Sequence, residues 1–104
     1  MAEEIVREIY WTDSAKTTFN NIAEYLRREW TESAAEKFMN RTTEVLTTLK
    51  SYPEMCRPSN KRKNVRIALL NKHTQLVYHY KPRKKQIEVL LFWSMKQDPR
   101  KFKY

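Results

Sequence analysis

Several residue types that most small domains use are scarce or missing here. The 104 residues include no glycine, one cysteine and four prolines, so turns must be made by Asn, Asp, Pro and Lys. The lone Cys56 excludes an internal disulfide and offers no cluster of metal ligands. No run approaches the ~18 consecutive apolar residues of a membrane span, and residues 1–8 lack the apolar core of a signal peptide. We therefore expect a cytoplasmic protein with no metal and no cofactor.

The length of the chain limits the number of domains. With 104 residues, it is long enough to close one hydrophobic core without metals or disulfides. No internal repeat, flexible linker or low-complexity segment divides the sequence. We therefore expect a single domain over residues 1–104.

Acidic side chains are scarce in the second half of the chain. Residues 1–54 carry 7 Lys/Arg and 10 Asp/Glu, a formal charge of −3, whereas residues 55–104 carry 14 Lys/Arg and only two acidic residues, a formal charge of +12. A positive excess confined to one half indicates a polyanionic partner, either nucleic acid or an acidic protein. The sequence alone does not separate these two kinds of partner.

The first half of the sequence predicts a short strand followed by two helices. Residues 5–11 (IVREIYW) are rich in β-branched and aromatic side chains, which favours a strand. Residues 12–14 offer caps for a first helix, Thr31 or Ser33 can cap a second helix, and Pro53 ends it. The apolar stripes with helical spacing are Ala15, Phe19, Ile22, Ala23, Leu26 and Trp30, and then Ala35, Phe38, Thr42, Val45, Leu46, Leu49 and Tyr52. The connection between the two predicted helices is short, which predicts that they form an antiparallel helical hairpin.

The second half predicts a basic loop at residues 54–64 and three strands. The strand-like runs are Val65 to Leu70, Thr74 to Tyr80 and Ile87 to Trp93. Strands of this length joined by short turns form an antiparallel meander. We therefore expect an α+β fold with the order β-α-α-β-β-β, in which the antiparallel helical hairpin packs on one face of a small antiparallel sheet.

The last predicted strand is apolar on both of its alternating sets. One set is Ile87, Val89, Leu91 and Trp93, and the other is Leu90 and Phe92. Because the hairpin covers only one face of the sheet, the second set needs another cover. Two explanations stay open: an apolar face that is kept for a partner, or a central strand flanked by large neighbours.

Five local patterns follow one another along the chain. They are residues 11–15 (WTDSA), 22–26 (IAEYL), 46–53 (LTTLKSYP), 76–80 (LVYHY) and 87–99 (IEVLLFWSMKQDP). In this order they resemble the first strand-to-helix junction, the first-helix core, the end of the second helix, the third strand and the last strand of the RelE/ParE toxin superfamily. The resemblance covers nearly the whole chain and favours the ParE-like branch over the RelE-like branch.

This resemblance implies the toxin component of a type II toxin–antitoxin system, a cytoplasmic growth inhibitor that a cognate antitoxin holds inactive. ParE-like members of the superfamily inhibit DNA gyrase, and RelE-like members cleave messenger RNA on the ribosome. An acidic or amphipathic segment of the antitoxin typically wraps the toxin. Such a partner agrees with the positive charge of residues 55–104 and with the spare apolar face of the predicted sheet.

The resemblance also implies where a RelE-like ribonuclease site would lie. Cleavage of RNA without a metal needs a base, an acid and cations that stabilise the developing charge. The corresponding positions hold Arg66, Ala68, Gln75, Lys96 and, near the end of the chain, Phe102 or Tyr104. Only Arg66 matches, since Ala68 and Gln75 carry no charge and a lysine at position 96 lacks the bidentate geometry of arginine. Most of the catalytic set is therefore missing.

A ribonuclease site of another kind would use a histidine. His79 can act as a base with Glu88 or Tyr80 beside it, although a lone histidine within a strand is more often a packed or surface residue. Together the two alternatives give Arg66, His79, Lys96 and Tyr104 as catalytic candidates.

Basic residues also cluster in the loop before the second predicted strand. Either they are a solvated loop or they bind phosphates or acidic groups, reinforced by Lys81, Arg83, Lys84, Lys85, Lys101 and Lys103. The residues expected to bind the target or the antitoxin are Arg57, Lys61, Arg62, Lys63, Arg66, Leu90, Phe92, Lys96 and Arg100.

Three functions fit these observations. The leading hypothesis is a ParE-like toxin that binds DNA gyrase and performs no chemistry of its own, because the nuclease set is incomplete. The second is a RelE-like, ribosome-dependent mRNA endoribonuclease with an altered active site. The third is a degenerate, non-toxic family member that persists only as the partner of an antitoxin.

Overall fold

The computed structural model describes residues 7–104. Its β-strands and α-helices are β1 (Glu8–Trp11), α1 (Asp13–Glu29), α2 (Glu32–Ser51), β2 (Arg57–Pro58), β3 (Val65–Asn71), β4 (Thr74–Lys81) and β5 (Gln86–Ser94). The α+β fold and the order β-α-α-β-β-β are confirmed, with the two-residue β2 as an addition within the predicted loop. The beginning of the predicted first strand, at Ile5, lies outside the described residues. Within residues 7–104, no helix has both the length and the apolar character needed to cross a membrane.

The strands form one mixed sheet in the order β1-β5-β4-β3-β2. The antiparallel pairing of β3, β4 and β5 is confirmed, but β1 pairs in parallel with β5, so the sheet is not wholly antiparallel as predicted. The helical hairpin explains this difference, because it returns the chain to where β1 begins: Arg7 N donates to Lys50 O at 3.3 Å. β3 therefore starts at the same end of the sheet as β1. Since β4 runs antiparallel to β3, and β5 antiparallel to β4, β5 runs in the same direction as β1.

Side-chain caps fix the ends of both helices. Thr12 Oγ1 accepts a hydrogen bond from the first turn of α1 at 2.9 Å and donates to Leu90 O in β5 at 2.7 Å. Thr31, and not Ser33, caps α2 by accepting from Ala34 N at 3.0 Å. The cap on α1 therefore also ties the helix to the middle of the sheet.

Both predicted helical stripes are buried or partly buried except at their last residues. Phe19, Phe38, Phe92 and Trp11 form an aromatic cluster between the helices and the sheet, with ring centroids 5.0 to 6.1 Å apart. Trp30 and Tyr52 are each 66% exposed, so the last residue of each stripe does not share the buried face of its helix. Each of them is the C-cap of its helix, where the backbone leaves the helical path and the spacing of the stripe no longer applies.

A β-bulge in β5 overturns the predicted alternation of that strand. Val77 pairs with Leu91 whereas Tyr78 pairs with Val89, so Leu90 is an extra residue. Phe92 consequently faces the helices together with Val89 and is completely buried, while Leu91 packs on the opposite face. Phe92 is therefore part of the helix-facing core and lies away from the apolar set that the sequence offers to a partner.

The sheet face that points away from the helices is called the outer face. A second, smaller core lies there, with Val65, Ile67 and Val77 buried. The C-terminal segment, residues 99–104, is called the tail, and its Phe102 and Tyr104 pack against this core. Neither explanation offered for the spare apolar set is correct in full, because a piece of the chain itself covers part of the outer face.

Candidate functional site

Two basic segments meet at one end of the sheet. Residues 60–64 lead into β3, residues 82–85 join β4 to β5, and Tyr80 N donates to Asn64 O at 2.9 Å between them. The exposed cations of these segments, called the basic end, are Lys61, Arg62, Lys63, Arg83, Lys84 and Lys85. Folding therefore brings together charges that are about twenty residues apart in the sequence.

The basic end has few negative charges near it to neutralise its cations. Within residues 7–104, none of its six cations forms an ion pair within 4.0 Å. The nearby Glu88 carboxylate is engaged instead by Lys81, at 3.6 Å, and lies 3.8 Å from His79 Nδ1. A positive potential therefore persists at this end of the sheet and can attract a polyanion.

Both basic segments close through a residue in the left-handed backbone region. Asn64 has a φ of 61° and Lys85 a φ of 52°. Asparagine tolerates this conformation, but lysine adopts it at a steric cost that glycine would avoid. In a chain without glycine, these two residues make the tight turns.

The tail is held against the outer face by the first basic segment. Lys61 Nζ donates to Phe102 O at 3.2 Å, and Ser59 Oγ donates to Tyr104 O. The Arg62 guanidinium lies 4.7 Å from the centre of the Tyr104 ring, a cation–π contact. Phe102 also packs on Trp93, with the ring centroids 5.1 Å apart.

The side of β3 that carries β2 is largely open. β2 pairs only with Arg66 and Ile67, so no strand of residues 7–104 covers this side from Ala68 onward. Leu69 is 57% exposed and Met95 is 51% exposed. Together with neighbouring side chains they line a groove, called the β3 edge, whose residues are Cys56, Arg57, Ile67, Ala68, Leu69, Gln75 and Met95.

Arg66 has a structural environment. It lies opposite Tyr78, on the helix-facing side of the sheet, and its Nη1 donates to Glu54 O at 3.1 Å and to Cys56 O at 2.7 Å. These bonds hold the segment after α2 against the sheet. The guanidinium is therefore turned away from the outer face, where His79 and Tyr104 lie.

Tyr78 and Cys56 stabilise the same segment. The Tyr78 hydroxyl donates to Pro53 O at 2.6 Å, and burial raises the pKa of Tyr78 well above its ordinary value. Burial also raises the pKa of the Cys56 thiol, although the neighbouring Tyr78 and Arg66 oppose that shift. A thiol that stays protonated is a poor nucleophile, which argues for a packing role.

His79 lies on the outer face in a cross-strand row with Tyr10 and Glu88. The Tyr10 hydroxyl donates to the Glu8 carboxylate, and this bond raises the pKa of Tyr10. Tyr80, the other predicted neighbour of His79, is nearly buried among the residues that face the helices. Of the two predicted neighbours, only Glu88 therefore shares the face of His79.

Lys96 lies at the opposite end of the sheet from the basic end. Its Nζ donates to the Tyr25 hydroxyl of α1 at 2.6 Å and lies 4.7 Å from the centre of that ring. Arg100, in the tail, pairs with Asp98 at 2.9 Å, and the Arg100 contacts lower the pKa of Asp98.

The structure thus brings together only part of the predicted site. His79 and Tyr104 share the outer face, whereas Arg66 and Lys96 are committed to other contacts on the helix side. Within residues 7–104, no three His, Cys, Asp or Glu side chains form a group that could hold a metal ion.

Sequence reasoning missed the two exposed apolar residues of the β3 edge. Leu69 falls in the same alternating set as Val65 and Ile67, which was a usable signal for the outer face. Nothing local marked Met95, which follows β5 and reaches the groove because its N–H donates to His73 O at 2.8 Å.

Known proteins resemble the chain in sequence pattern and in fold. Three solved structures are similar: the chromosomal ParDE toxin–antitoxin system from P. aeruginosa (TM-score 0.70, 20% identity, covering 86% of this chain and 96% of that chain), the RelBE2 toxin–antitoxin complex from Mycobacterium tuberculosis (0.59, 11%, 90% and 97%), and the DinJ–YafQ toxin–antitoxin complex from E. coli (0.57, 15%, 88% and 96%). At these identities the likeness shows the fold. No curated protein matches.

Evidence for the family comes from the sequence profile of the ParE toxin of the type II toxin–antitoxin system parDE, which matches residues 9–99. That range runs from β1 to the beginning of the tail and so includes both helices and the whole sheet. The chain therefore belongs to the ParE toxin family of type II toxin–antitoxin systems.

Proposed function

We propose that the chain inhibits growth in the cytoplasm by binding DNA gyrase, that it performs no chemistry of its own, and that a cognate antitoxin neutralises it. Membership of the ParE family supports a toxin. The observation that carries the binding mechanism is the separation of the RelE-like positions. Arg66 donates to two backbone carbonyls and Lys96 donates to Tyr25, so the two cations contact different parts of the fold instead of sharing one phosphodiester site.

The β3 edge is the surface that best fits an amphipathic antitoxin segment. It offers exposed apolar side chains, Leu69 and Met95, beside the cation of Arg57. The backbone of β3 has no neighbouring strand beyond Ile67 within the described residues, and such an edge can accept an added strand from a partner. An antitoxin as partner is also supported by the similar solved structures, which include toxin–antitoxin complexes.

The predicted binding residues divide among the β3 edge, the basic end and the outer face. Arg57 belongs to the β3 edge, Lys61, Arg62 and Lys63 belong to the basic end, and Leu90 packs against the small core of the outer face. We propose that Arg57, Leu90 and Arg100 contribute to antitoxin binding. We also propose a contribution from Lys96, at the end of the sheet opposite the basic end. Arg66 contributes indirectly, by holding residues 54–56 in place.

Enzyme inhibition tests the mechanism most simply. The purified chain is added to gyrase, ATP and relaxed plasmid, and in parallel to translating ribosomes with a defined messenger RNA. We expect loss of supercoiling with intact message, and recovery of supercoiling when the cognate antitoxin is added. Unimpaired supercoiling with cleaved message would overturn the proposal, and undisturbed growth during expression without antitoxin would identify a non-toxic family member.

A double substitution tests the antitoxin surface. Leu69→Glu with Met95→Glu places two negative charges in the groove, and we expect binding of the cognate antitoxin to weaken at least tenfold, about 1.4 kcal/mol or more. The control is Trp30→Glu, since Trp30 is also apolar and exposed but lies at the end of α1. Equal affinities for both variants, measured by calorimetric titration, would exclude the β3 edge as the binding surface.

One observation favours a second function, an mRNA endoribonuclease with an altered site. His79 Nδ1 lies 3.8 Å from Glu88 Oε1 on the outer face, which also carries Lys81 and Tyr104. In this mechanism His79 would accept the 2′-hydroxyl proton, and the loss of such a base costs about 10² to 10⁴ in rate. His79→Gln should then abolish message cleavage, whereas gyrase inhibition should be unaffected if the leading proposal holds.

A further inference from the structure

We propose that the basic end binds the phosphate backbone of duplex DNA. The inference concerns a nucleic-acid contact made by the chain itself. It rests on the geometry of the basic end and does not depend on the proposed inhibition of gyrase.

The two basic segments lie side by side at one end of the sheet. Each segment is closed by a left-handed residue, Asn64 or Lys85. The second segment also contains a 3-10 turn that begins at Pro82, and Lys85 N donates to Pro82 O at 3.2 Å. Since Tyr80 N bonds to Asn64 O, both turns project from the same end of the sheet. The cations are thus presented as one surface by two short, well-defined turns.

Acidic side chains of the described residues do not neutralise the cations of the basic end by ion pairs. All six cations of the basic end are exposed, and within residues 7–104 none has an acidic partner within 4.0 Å. Arg27 of α1 differs, because it pairs with Glu24 at 2.7 Å and with Glu32 at 3.1 Å. Cations without acidic partners are available to neutralise phosphates, and the counterions that this releases from the nucleic acid favour association.

The composition of the two basic segments favours a nucleic-acid backbone over an acidic peptide as the ligand. Residues 60–64 and 82–85 contain no large apolar side chain, so a peptide would find charge there but no hydrophobic anchor. The exposed apolar pair Leu69 and Met95 lies at the β3 edge. A surface of point charges alone is what contacts to a phosphate backbone require.

The contacts of the nearby aromatic rings favour duplex DNA over single-stranded nucleic acid as the ligand. Single-stranded nucleic acids bind largely by stacking their bases on aromatic rings. The aromatic ring held beside the basic end, that of Tyr104, already carries Arg62 at 4.7 Å, and its neighbour Phe102 packs on Trp93. Cationic groups are accessible at this surface, whereas ring faces are engaged within the protein.

Two triple variants with the same change in net charge test the assignment. The first is Arg83→Ala, Lys84→Ala and Lys85→Asn, in which asparagine preserves the left-handed turn. The control is Lys16→Ala, Lys37→Ala and Lys72→Ala, which removes three exposed cations outside the basic end. Equal melting temperatures of both variants and the parent chain establish that the folds are intact.

Binding to a short fluorescent duplex is measured by anisotropy between about 50 and 200 mM salt. We expect the parent chain to bind, the first variant to bind at least tenfold more weakly with a salt slope reduced by about 2 to 3, and the control to stay within about twofold of the parent. Equal losses in the two variants would reduce the effect to net charge and overturn the assignment.

Competition identifies the class of ligand. We expect an unlabelled duplex to displace the probe at lower nucleotide concentration than single-stranded DNA of the same sequence or polyglutamate. Tighter binding of either competitor, or no binding of the duplex by the parent chain, would overturn the proposal. Because gyrase is absent from this measurement, its outcome and that of the supercoiling assay are independent.

Discussion

The two faces of the sheet are covered by very different amounts of chain. Two helices of 17 and 20 residues lie on one face, whereas the tail of residues 99–104 lies on the other. Among the largest fully buried side chains, Phe92, Leu76 and Ile87 face the helices and Val77 faces outward. Stability therefore comes chiefly from the helix-facing core. The outer face, its basic end and its open β3 edge are left accessible to partners.

The largest test of this comparison is Phe92→Ala. Phe92 is completely buried and contacts Trp11, Phe19 and Phe38. Its loss should lower the free energy of unfolding by about 3 to 5 kcal/mol, measured by urea denaturation. Trp30→Ala is the control, and because Trp30 is exposed its effect should stay within about 0.5 kcal/mol. A small loss for Phe92→Ala would mean that the aromatic cluster is not the main core.

The matching substitution on the outer face is Phe102→Ala. Phe102 is only half-buried, between Trp93 and Tyr104, so we expect a loss of about 1 to 2 kcal/mol. The same denaturation experiment measures it, and Lys103→Ala is a neighbouring control on an exposed residue. A loss as large as that of Phe92→Ala would show that the two faces contribute equally.

Tyr78→Phe sharpens the comparison at the rim of the helix-facing core. Losing the bond to Pro53 O should cost about 1 kcal/mol at neutral pH. Because the pKa of Tyr78 is raised in the folded protein, its contribution is complete below the unfolded pKa of about 10 and is lost as the pH rises above that value. The raised pKa of Cys56 acts in the same direction. Denaturation between neutral pH and pH 11 should therefore show a shallower alkaline loss in Tyr78→Phe, and an unchanged profile would contradict this assignment.

The smallest expected effect belongs to neither face. Lys85→Gly relieves a left-handed lysine but gives the unfolded chain more freedom, so the free energy of unfolding should rise by less than about 1 kcal/mol. Lys84→Gly, at a residue within the 3-10 turn, should lower it instead. Thermal melts of the two variants distinguish these outcomes, and a drop for Lys85→Gly would show that the lysine side chain stabilises the turn.

The parts of the fold that depend on local spacing were predictable from the sequence. The cap at Thr12, the two helical stripes and the three closing strands all follow from neighbours within a few residues. The parallel pairing of β1 was not predictable in this way, because it depends on where the hairpin returns the chain. The bulge at Leu90 depends on Thr12 and on Thr18, whose Oγ1 accepts from Phe92 N at 2.9 Å, and both lie more than seventy residues away in the sequence.

The predicted site was recovered only in part for the same reason. The basic cluster is continuous in sequence, but the sheet divides it: Lys61 to Lys63 join the basic end, Arg57 joins the β3 edge, and Arg66 turns toward the helix side. The docking of the tail depends on the Arg62 and Lys61 contacts, which no periodicity within residues 99–104 announces.

We expect partners to engage the β3 edge and the outer face, while the helices only support these two surfaces. Amide hydrogen exchange of the chain, alone and bound to its cognate antitoxin, tests this most directly. We expect new protection of the backbone amides in β3, in residues 54–64 and in the tail. The protection of amides on the exposed sides of α1 and α2 should stay unchanged. Protection confined to the groove on α2 that Arg41, Glu44, Thr48 and Met55 line would contradict it.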